Sequence, residues 1–524
     1  MIEIIGQRVE EISLGEFPAQ RGKTGRPTFT ERIWRHRRPA PLLIMAEPQP
    51  EISEIAARRI CSVCIGEAFL REEIERDGET AGCFYCEDEG KTISIEDLAD
   101  RVGAVFDEHF EVTPSEPSDF EYSMMKETDF NWYREGQPSA DAIAEAAEIG
   151  PDATEDVRLV LAERHYNHHV AEVGEECPFE EGVHYDEKGV DAAEYLEQWA
   201  DFERRLRQET RFVSPSGFEI LTETFTGVHE HKARDGRAAV IDAGPGHSLC
   251  ALYRARVFQS DAKLKEALKR PDLEIGPPPW RSAPAGRMNA QGISVFYGAV
   301  DIATAVAEVR PPVGSRVVIA QFEIIRPIKL LDVRVLQEIF VAGSLFDPGY
   351  SPKLKRAAFL KRLSEKISRP VMPDDEPFDY LVTQAIADYL ATEQRIDGVI
   401  YPSAQTDSPH GNVAIFHRAA RVDLIDLPAD TKFNVQLELY TEHGSEPSYS
   451  VWAELPPVKP EVPDKKLLFD SLAFDHLMPE FWKPDADYRP ATLRVNRMTV
   501  EVHHVQSVTV NTESHLVHRS ETQR

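Results

Sequence analysis

Aromatic residues make up only 9% of this 524-residue sequence, and its apolar runs stay far short of the roughly 20 residues needed to cross a bilayer. A membrane-spanning helix is therefore not expected. Basic residues are also in short supply, with 59 Lys and Arg against 90 Asp and Glu for a net charge of −31. That balance makes duplex nucleic acid a poor generic partner, because affinity for it comes largely from Lys and Arg displacing counterions from phosphates. The opening MIEIIGQRVEEISLGEF lacks the basic head, apolar core and small-residue cleavage site of a secretory signal. Cytoplasm is the expected compartment. The 42% hydrophobic content fits a globular protein, and the length implies about three units, each with its own core.

Charge is unevenly spread, and RGKTGRPTFTERIWRHRRPAP (21–41) is strongly basic. With its Pro and Gly content this stretch reads as a basic N-terminal arm over 1–57, either a leader lying on the acidic body or a contact for nucleic acid or a partner. Cysteine is sparse too, at six, but four of the six form Cys61-Ser-Val-Cys64 and Cys83-Phe-Tyr-Cys86. Each CxxC knuckle lets two thiolates approach one cation, and two knuckles close a four-sulfur site with no open position, the pattern of structural zinc over 58–92. A disulfide reading is weak in a reducing cytoplasm, and the remaining alternative is a set of unligated buried cysteines. Cys177 and Cys250 read as core thiols.

SIEDLADRVGAVFDEHF (94–110) has the form of a helix, with Ser94 as its cap and Ile95, Leu98, Val102, Val105 and Phe106 on one face. DATEDVRLVLAERHYNHHVAEV (152–173) and AAEYLEQWADFERRLRQETRFV (192–213) continue the pattern, so 93–235 is expected to be mainly helical. From 236 to 427 short strands alternate with helices, the texture of a mixed α/β domain. A C-terminal extension over 428–524 contains the proline-rich PPVKPEVP (456–463) and a strand-like TVEVHHVQSVTV (499–510), and packing against the α/β domain is its expected role.

Chemistry concentrates in GRMNAQGISVFYGAVDIATAVAEVR (286–310). Gly286 and Gly292 flank a turn that leaves Arg287 at the lip of a strand. The apolar strand carries Tyr297 near its end, and Asp301 is placed to cap the following helix. Glu308 sits at the edge of that helix's apolar face, where a carboxylate is costly to bury without a partner arginine or a ligand hydroxyl. On the bare residues, ordinary structural roles for Arg287, Tyr297 and Glu308 remain open.

This stretch is similar to the central motif of RES domains, in which a glycine-opened turn precedes an apolar strand ending in tyrosine and a helix ending in A-x-x-E-V. Leu252-Tyr253-Arg254 resembles the family's opening L-Y-R, and DYLVTQAIADYLATEQRIDGVIYPSAQ (379–405) followed by GNVAIF resembles its closing run, with Ser403 after Y-P. The resemblance covers about 240–425. Met288 departs from it, standing where the family usually has tryptophan, which implies a looser pocket wall. Residues 58–110 resemble the HEPN/RES N-terminal domain found fused to some RES domains. The expected whole is an α+β multidomain protein: a zinc-knuckle and helical N-terminal part, then a mixed α/β RES domain resembling the ADP-ribosyltransferase fold.

The resemblance implies an enzyme that destroys NAD+ at the nicotinamide–ribose bond, as a glycohydrolase or a phosphorylase, of the kind found as toxins in RES–Xre toxin–antitoxin pairs. It implies Arg254 and Arg287 as anchors for phosphate oxygens, Tyr297 at the nicotinamide end, Glu308 on the ribose and the developing cation, and Ser403 orienting the substrate or supporting Glu308. Thr383 and Gln384 are candidates for supporting roles behind these. NAD+, an antitoxin or regulatory protein, and a second copy meeting through the helical part are the expected partners. A competing chemistry lies in Arg164-His165-Tyr166-Asn167-His168-His169, which fits the arginine, four residues, histidine pattern of HEPN ribonucleases, with Arg164 and His169 as the pair. A third reading is a RES domain that binds NAD+ or a partner without turnover.

Overall fold

The computed structural model describes residues 50–456 and 487–519, apart from positions 212, 213, 373, 407, 409, 429 and 443. Positions 1–49 of the expected basic arm and all but the first residue of the proline-rich break lie outside the described residues. The chain divides into two units after Glu54. Only positions 50–54 of the first are described, and the second, Ile55–Arg524, contains the cysteine pairs and the large sheet.

Both CxxC turns are carried by a three-stranded antiparallel sheet of β1 (Arg59–Cys61), β2 (Glu79–Gly82) and β3 (Glu89–Ser94), in the order β1-β3-β2. β3 runs straight into helix α1 (Ile95–His109), where the Ser94 hydroxyl accepts from the Asp97 N–H at 3.0 Å and caps the helix. Ile95, Leu98, Val102, Val105 and Phe106 are all buried along one face of α1. They pack toward α2 (Pro151–His165), and Gly103 permits the close approach, since a Cβ there would sit 3.1 Å from Leu161. The periodic stretch 152–173 is not one helix: Tyr166 is extended at ψ 124°, and the Asn167 side chain caps a separate short helix, His168–Glu172. Strands also appear inside this helical region, as Phe110–Val112, His184–Glu187 and Gln137–Pro138 form a small sheet. Its core is a cluster of Phe106, Phe179 and Tyr185 rings.

The next two helices, α3 (Ala193–Gln208) and α4 (Pro215–Phe225), bury Trp199, Phe202, Leu206, Leu221 and Phe225 in the same core as Leu331, Phe359, Leu360, Ile386 and Val399. The boundary expected at 235/236 therefore falls within a shared core.

That core lies on one face of a nine-stranded mixed sheet. Its strands are β4 (Val240–Ala243), β5 (Ala251–Phe258), β6 (Phe296–Ala299), β7 (Arg316–Ile324), β8 (Ile328–Asp332), β9 (Gly398–Tyr401), β10 (Asn412–Ile415), β11 (Val422–Asp423) and β12 (Leu493–His504). They are ordered β11-β12-β7-β5-β6-β10-β9-β8-β4, with β8/β9 and β11/β12 parallel and the other pairs antiparallel. Alternation along the strands fills both faces. Val317 and Ile319 of β7 join one cluster, while Val318, Ala320 and Phe322 join the opposite one. Likewise Phe296 joins the cluster of Val318 and Phe322, while its neighbour Tyr297 packs against the core of Phe359 and Ile386.

Helices α6 (Tyr350–Ser368) and α7 (Glu376–Thr392) cover the first face, while the short α5 (Ile302–Glu308) follows β6. The C-terminal extension supplies β12, beginning six residues earlier than the alternating 499–510 stretch, because Leu493 and Val495 are the positions that enter the core. A hairpin of Lys432–Thr441 and Gly444–Glu454 anchors to the second face through Val435 and Leu437. Among the described residues no helix is long and apolar enough to cross a membrane.

Candidate active site and metal site

The turn before β6 is fixed by its own polar groups. The Gly286 N–H donates to the Asn289 carbonyl at 2.9 Å. The Tyr297 hydroxyl donates to Asn289 Oδ1 at 2.7 Å and accepts from the Met288 N–H at 3.0 Å. Only glycine fits at 286, because a Cβ would stand 2.8 Å from both the Tyr297 hydroxyl and Asn289 Oδ1. Helix α7 holds the same turn from behind, with Gln384 Nε2 donating to the Gly286 and Asn289 carbonyls at 2.9 and 3.0 Å and the Thr383 hydroxyl donating to the Arg287 carbonyl. Thr383 and Gln384 thus set the turn's position and touch nothing beyond it through these bonds. Met288 does not form a loose pocket wall: its side chain is buried in the core beneath α4 and α7, so the departure from tryptophan is absorbed there.

Arg287 projects from the turn under the C-terminal end of α6, where one guanidinium nitrogen donates to the carbonyls of Ile367 and of Arg369, the latter at 3.0 Å. A cation at a helix C-terminus is favoured by the exposed carbonyls there. Arg254 comes from β5, next to β6. Its guanidinium donates to the Tyr297 carbonyl at 2.5 Å and lies 5.2 Å from the Phe296 ring centroid. Burial, reinforced by neighbouring Arg256, lowers its pKa to about 10, so it stays cationic at neutral pH, and it has no ion-pair partner among the described residues. Tyr297 is pushed up to about 12 by burial and remains a neutral phenol.

Glu308 ends α5, whose start is capped by Asp301 accepting from the Thr304 N–H at 2.8 Å. Burial would raise the Asp301 pKa, but hydrogen bonds from Thr304 and Ser408 outweigh it and hold the carboxyl below its ordinary value. Oε1 of Glu308 accepts two hydrogen bonds, from Ser403 Oγ at 2.6 Å and from Asn412 Nδ2 at 2.7 Å. Asn412 is 3% exposed, so one face of the carboxylate is held by a buried amide. Ser403 is itself oriented by accepting from the Gln405 N–H at 3.0 Å.

Arg254, Arg287, Tyr297 and Glu308 line one open cavity of about 340 Å³, within the size range of small-molecule sites. Tyr380 and Tyr401 add aromatic wall, and Arg310 stands at its edge. Tyr401 is half-buried beside Tyr297 and Glu308, and burial pushes its phenol strongly up. Ser403 reaches the cavity through Glu308 rather than by lining it.

Residues 252–436 match the RES domain. This family is associated with NAD-related toxin systems, and the matched span contains all five of the residues anticipated from its motifs. No curated protein matches the sequence. Asn412 of the RES domain is a site residue that sequence reasoning missed, although it lies within the GNVAIF run. Its sequence signal is slight, because only the pairing of β10 with β6 sets it across from Ala299, near the start of α5.

Outside the RES domain, Cys61, Cys64, Cys83 and Cys86 bring their sulfurs within 4.8 Å of one another. The Cys61–Cys86 and Cys64–Cys83 sulfur separations are 3.6 and 3.8 Å. Four ligands at the zinc–sulfur bond length in a tetrahedron would lie about 3.8 Å apart, so the group fits a metal such as zinc. Packing four sulfurs together disfavours the thiolate forms of Cys64 and Cys86, a cost that a bound cation would offset. Burial and the neighbouring Cys61 and Cys83 push the Cys64 thiol strongly up, burial pushes Cys86 up to about 11, and backbone hydrogen bonds outweigh burial to lower Cys83. The cluster is tied to α2 by Asp156, 6% exposed, which accepts from Arg58 at 2.7 and 2.8 Å and from the Tyr85 hydroxyl at 2.6 Å.

Arg164 and His169 are not brought to a common cavity. Arg164 pairs with Asp100 at 2.5 Å and Glu96 at 3.4 Å on α1, and His169 lies beyond the helix break with a 95% exposed side chain, 3.7 Å from Glu172.

Proposed function

We propose that the RES domain cleaves NAD+ at the bond between nicotinamide and ribose. The observation that carries this reading is Glu308, a carboxylate fixed on one oxygen by Ser403 and Asn412 in a cavity it shares with Arg254, Arg287 and Arg310. In that reaction the glycosidic C–N bond breaks with its electron pair passing to the ring nitrogen, and neutral nicotinamide leaves. The ribose is left as an oxocarbenium ion, which water captures with loss of a proton to give ADP-ribose, or inorganic phosphate captures to give the ribosyl phosphate. Charge develops at the ribose only as the bond breaks, so an oriented carboxylate there binds the transition state more tightly than the substrate. Ser403 and Asn412 keep Glu308 in place without neutralising it.

Arg254 and Arg287 supply positive potential for the diphosphate, and the Tyr380 and Tyr401 rings offer flat surface for a base or the nicotinamide. Tyr297 contributes its ring to the wall, while its hydroxyl is engaged by the turn. In this reading the mixed sheet is an ADP-ribosyltransferase-like frame, and the N-terminal part is a HEPN/RES-type module with zinc at its four cysteines. Destruction of NAD+ would make the protein a growth-arresting toxin or defence effector, with an antitoxin or a second copy acting through the helical part.

The test is nicotinamide release from NAD+, followed chromatographically for the parent and Glu308→Gln. Release by the parent and its loss in the variant are expected. Equal rates for the two, or no release by the parent, would overturn the reading.

A further inference from the structure

Among the described residues three arginines line the cavity, and they are not equally free. Arg287 spends one nitrogen on two carbonyls at the end of α6, and Arg254 spends one on the Tyr297 carbonyl within the sheet. Arg310 is different: it is exposed, it lines the same cavity, and among the described residues its guanidinium has no hydrogen bond or ion pair.

Its backbone is also unusual. Arg310 has φ +43°, in the left-handed region that a residue with a Cβ rarely adopts. Its N–H donates back to the Ala307 carbonyl at 3.0 Å, which turns the chain sharply just after Glu308. Pro311 and Pro312 follow, and a residue before proline is pushed toward extended conformations. Glycine would suit this position better. An arginine held against its backbone preference, two residues from the cavity's carboxylate and facing open space, is the pattern of strain kept at a functional position. Among the described residues Glu308 and Glu376 are the carboxylates that share the cavity with it. Glu308 is held by Ser403 and Asn412, and Glu376 accepts from the Tyr380 hydroxyl at 3.1 Å.

We propose that Arg310 is a substrate-binding residue that takes the diphosphate of the dinucleotide by charge-assisted, forked hydrogen bonds, with Arg287 chiefly positioning the turn and α6. This rests on the reading of the cavity as an NAD+ site. It goes further in assigning the ligand's anionic part to one side chain and in separating that side chain from the chemistry at Glu308.

The experiment is calorimetric titration of ADP-ribose, which carries the diphosphate but no scissile nicotinamide, into the parent, Arg310→Gln, Arg310→Lys and Arg310→Gly proteins. Steady-state kinetics on NAD+ run alongside. Loss of charge-assisted bonds predicts that Arg310→Gln weakens ADP-ribose binding about 10- to 100-fold. The KM for NAD+ should rise by a similar factor while kcat moves only a few fold, and Arg310→Lys should recover part of the loss. Arg310→Gly relieves the backbone, so it should melt no lower than the parent and yet bind as weakly as Arg310→Gln, which separates lost binding from lost folding. Parental ADP-ribose affinity in Arg310→Gln, including no measurable binding by either protein, would overturn the proposal. If ADP-ribose binding depends on Arg310 but Glu308→Gln releases nicotinamide like the parent, the diphosphate assignment stands and the cleavage role of Glu308 falls.

Discussion

Arg164 and Arg254 each sit in a short motif that suggests catalysis, and their surroundings are opposite. Arg164, in the helical region, is held by Asp100 and Glu96 on the surface of α1, and its motif partner His169 points away beyond a helix break. Arg254, in the RES domain, has no carboxylate partner among the described residues and shares a cavity with Glu308. The same contrast separates the two clusters rich in polar groups. The four sulfurs of the knuckle close on one another and leave no ligand position for a substrate, whereas Arg254, Arg287 and Glu308 in the cavity are each held on one side and open on the other. A group saturated by its own protein stabilises structure; a group fixed but unsaturated is available to a ligand.

The largest expected effect tests the closed cluster. Withdrawing metal from the purified protein with a chelator, or replacing Cys61 and Cys83 by serine, should remove on the order of 10 kcal/mol of folding free energy from the knuckle. Hydrogen exchange would show this as lost protection over 58–94, with ADP-ribose binding by the RES domain held within about twofold. Lost binding at the cavity would erase the distinction between the two clusters. Next comes Glu308→Gln, expected to slow nicotinamide release about 10²- to 10³-fold, read as kcat on NAD+ with the melting temperature unchanged. Asn412→Ala leaves Glu308 with Ser403 alone and should cost about 1–2 kcal/mol of transition-state stabilisation, measured as a fall in kcat/KM. The smallest effect belongs to Arg164→Ala. Exposed ion pairs contribute about 1 kcal/mol or less, so its NAD+ turnover should match the parent within twofold, and an RNA substrate should show no cleavage that depends on this residue.

Much of the local structure was legible in the sequence because it depends on neighbours a few residues apart. The CxxC spacings, the Ser94 and Asp301 caps and the apolar face of α1 are of this kind. So is the strand-to-helix unit from 286 to 310, where glycine and asparagine dictate the turn. What the sequence could not convey depends on partners far along the chain. Asn412 reaches Glu308 across 104 residues, and Arg287 finds its carbonyl partners at the end of α6, 80 residues away. Neither has a period or a spacing to announce it. Met288 reads as a pocket residue by its place in the motif, but the Tyr297 hydroxyl holds its backbone so that the side chain enters the core. The helices at 193–225 look continuous with the helical region before them, and only their shared burial with α6 and α7 assigns them to the sheet's core. The left-handed backbone of Arg310 has no side-chain signal at all, since sequence preference alone would have placed glycine there.

Everything proposed for the RES cavity turns on whether it breaks the nicotinamide–ribose bond. Proton and phosphorus NMR of NAD+ incubated with the protein, in phosphate-free and phosphate-containing buffer, follows that bond itself. Free nicotinamide should appear in step with ADP-ribose or its ribosyl phosphate, with both slowed about 10²- to 10³-fold in the Glu308→Gln sample. NAD+ that stays intact with the parent protein in both buffers would contradict cleavage by this cavity.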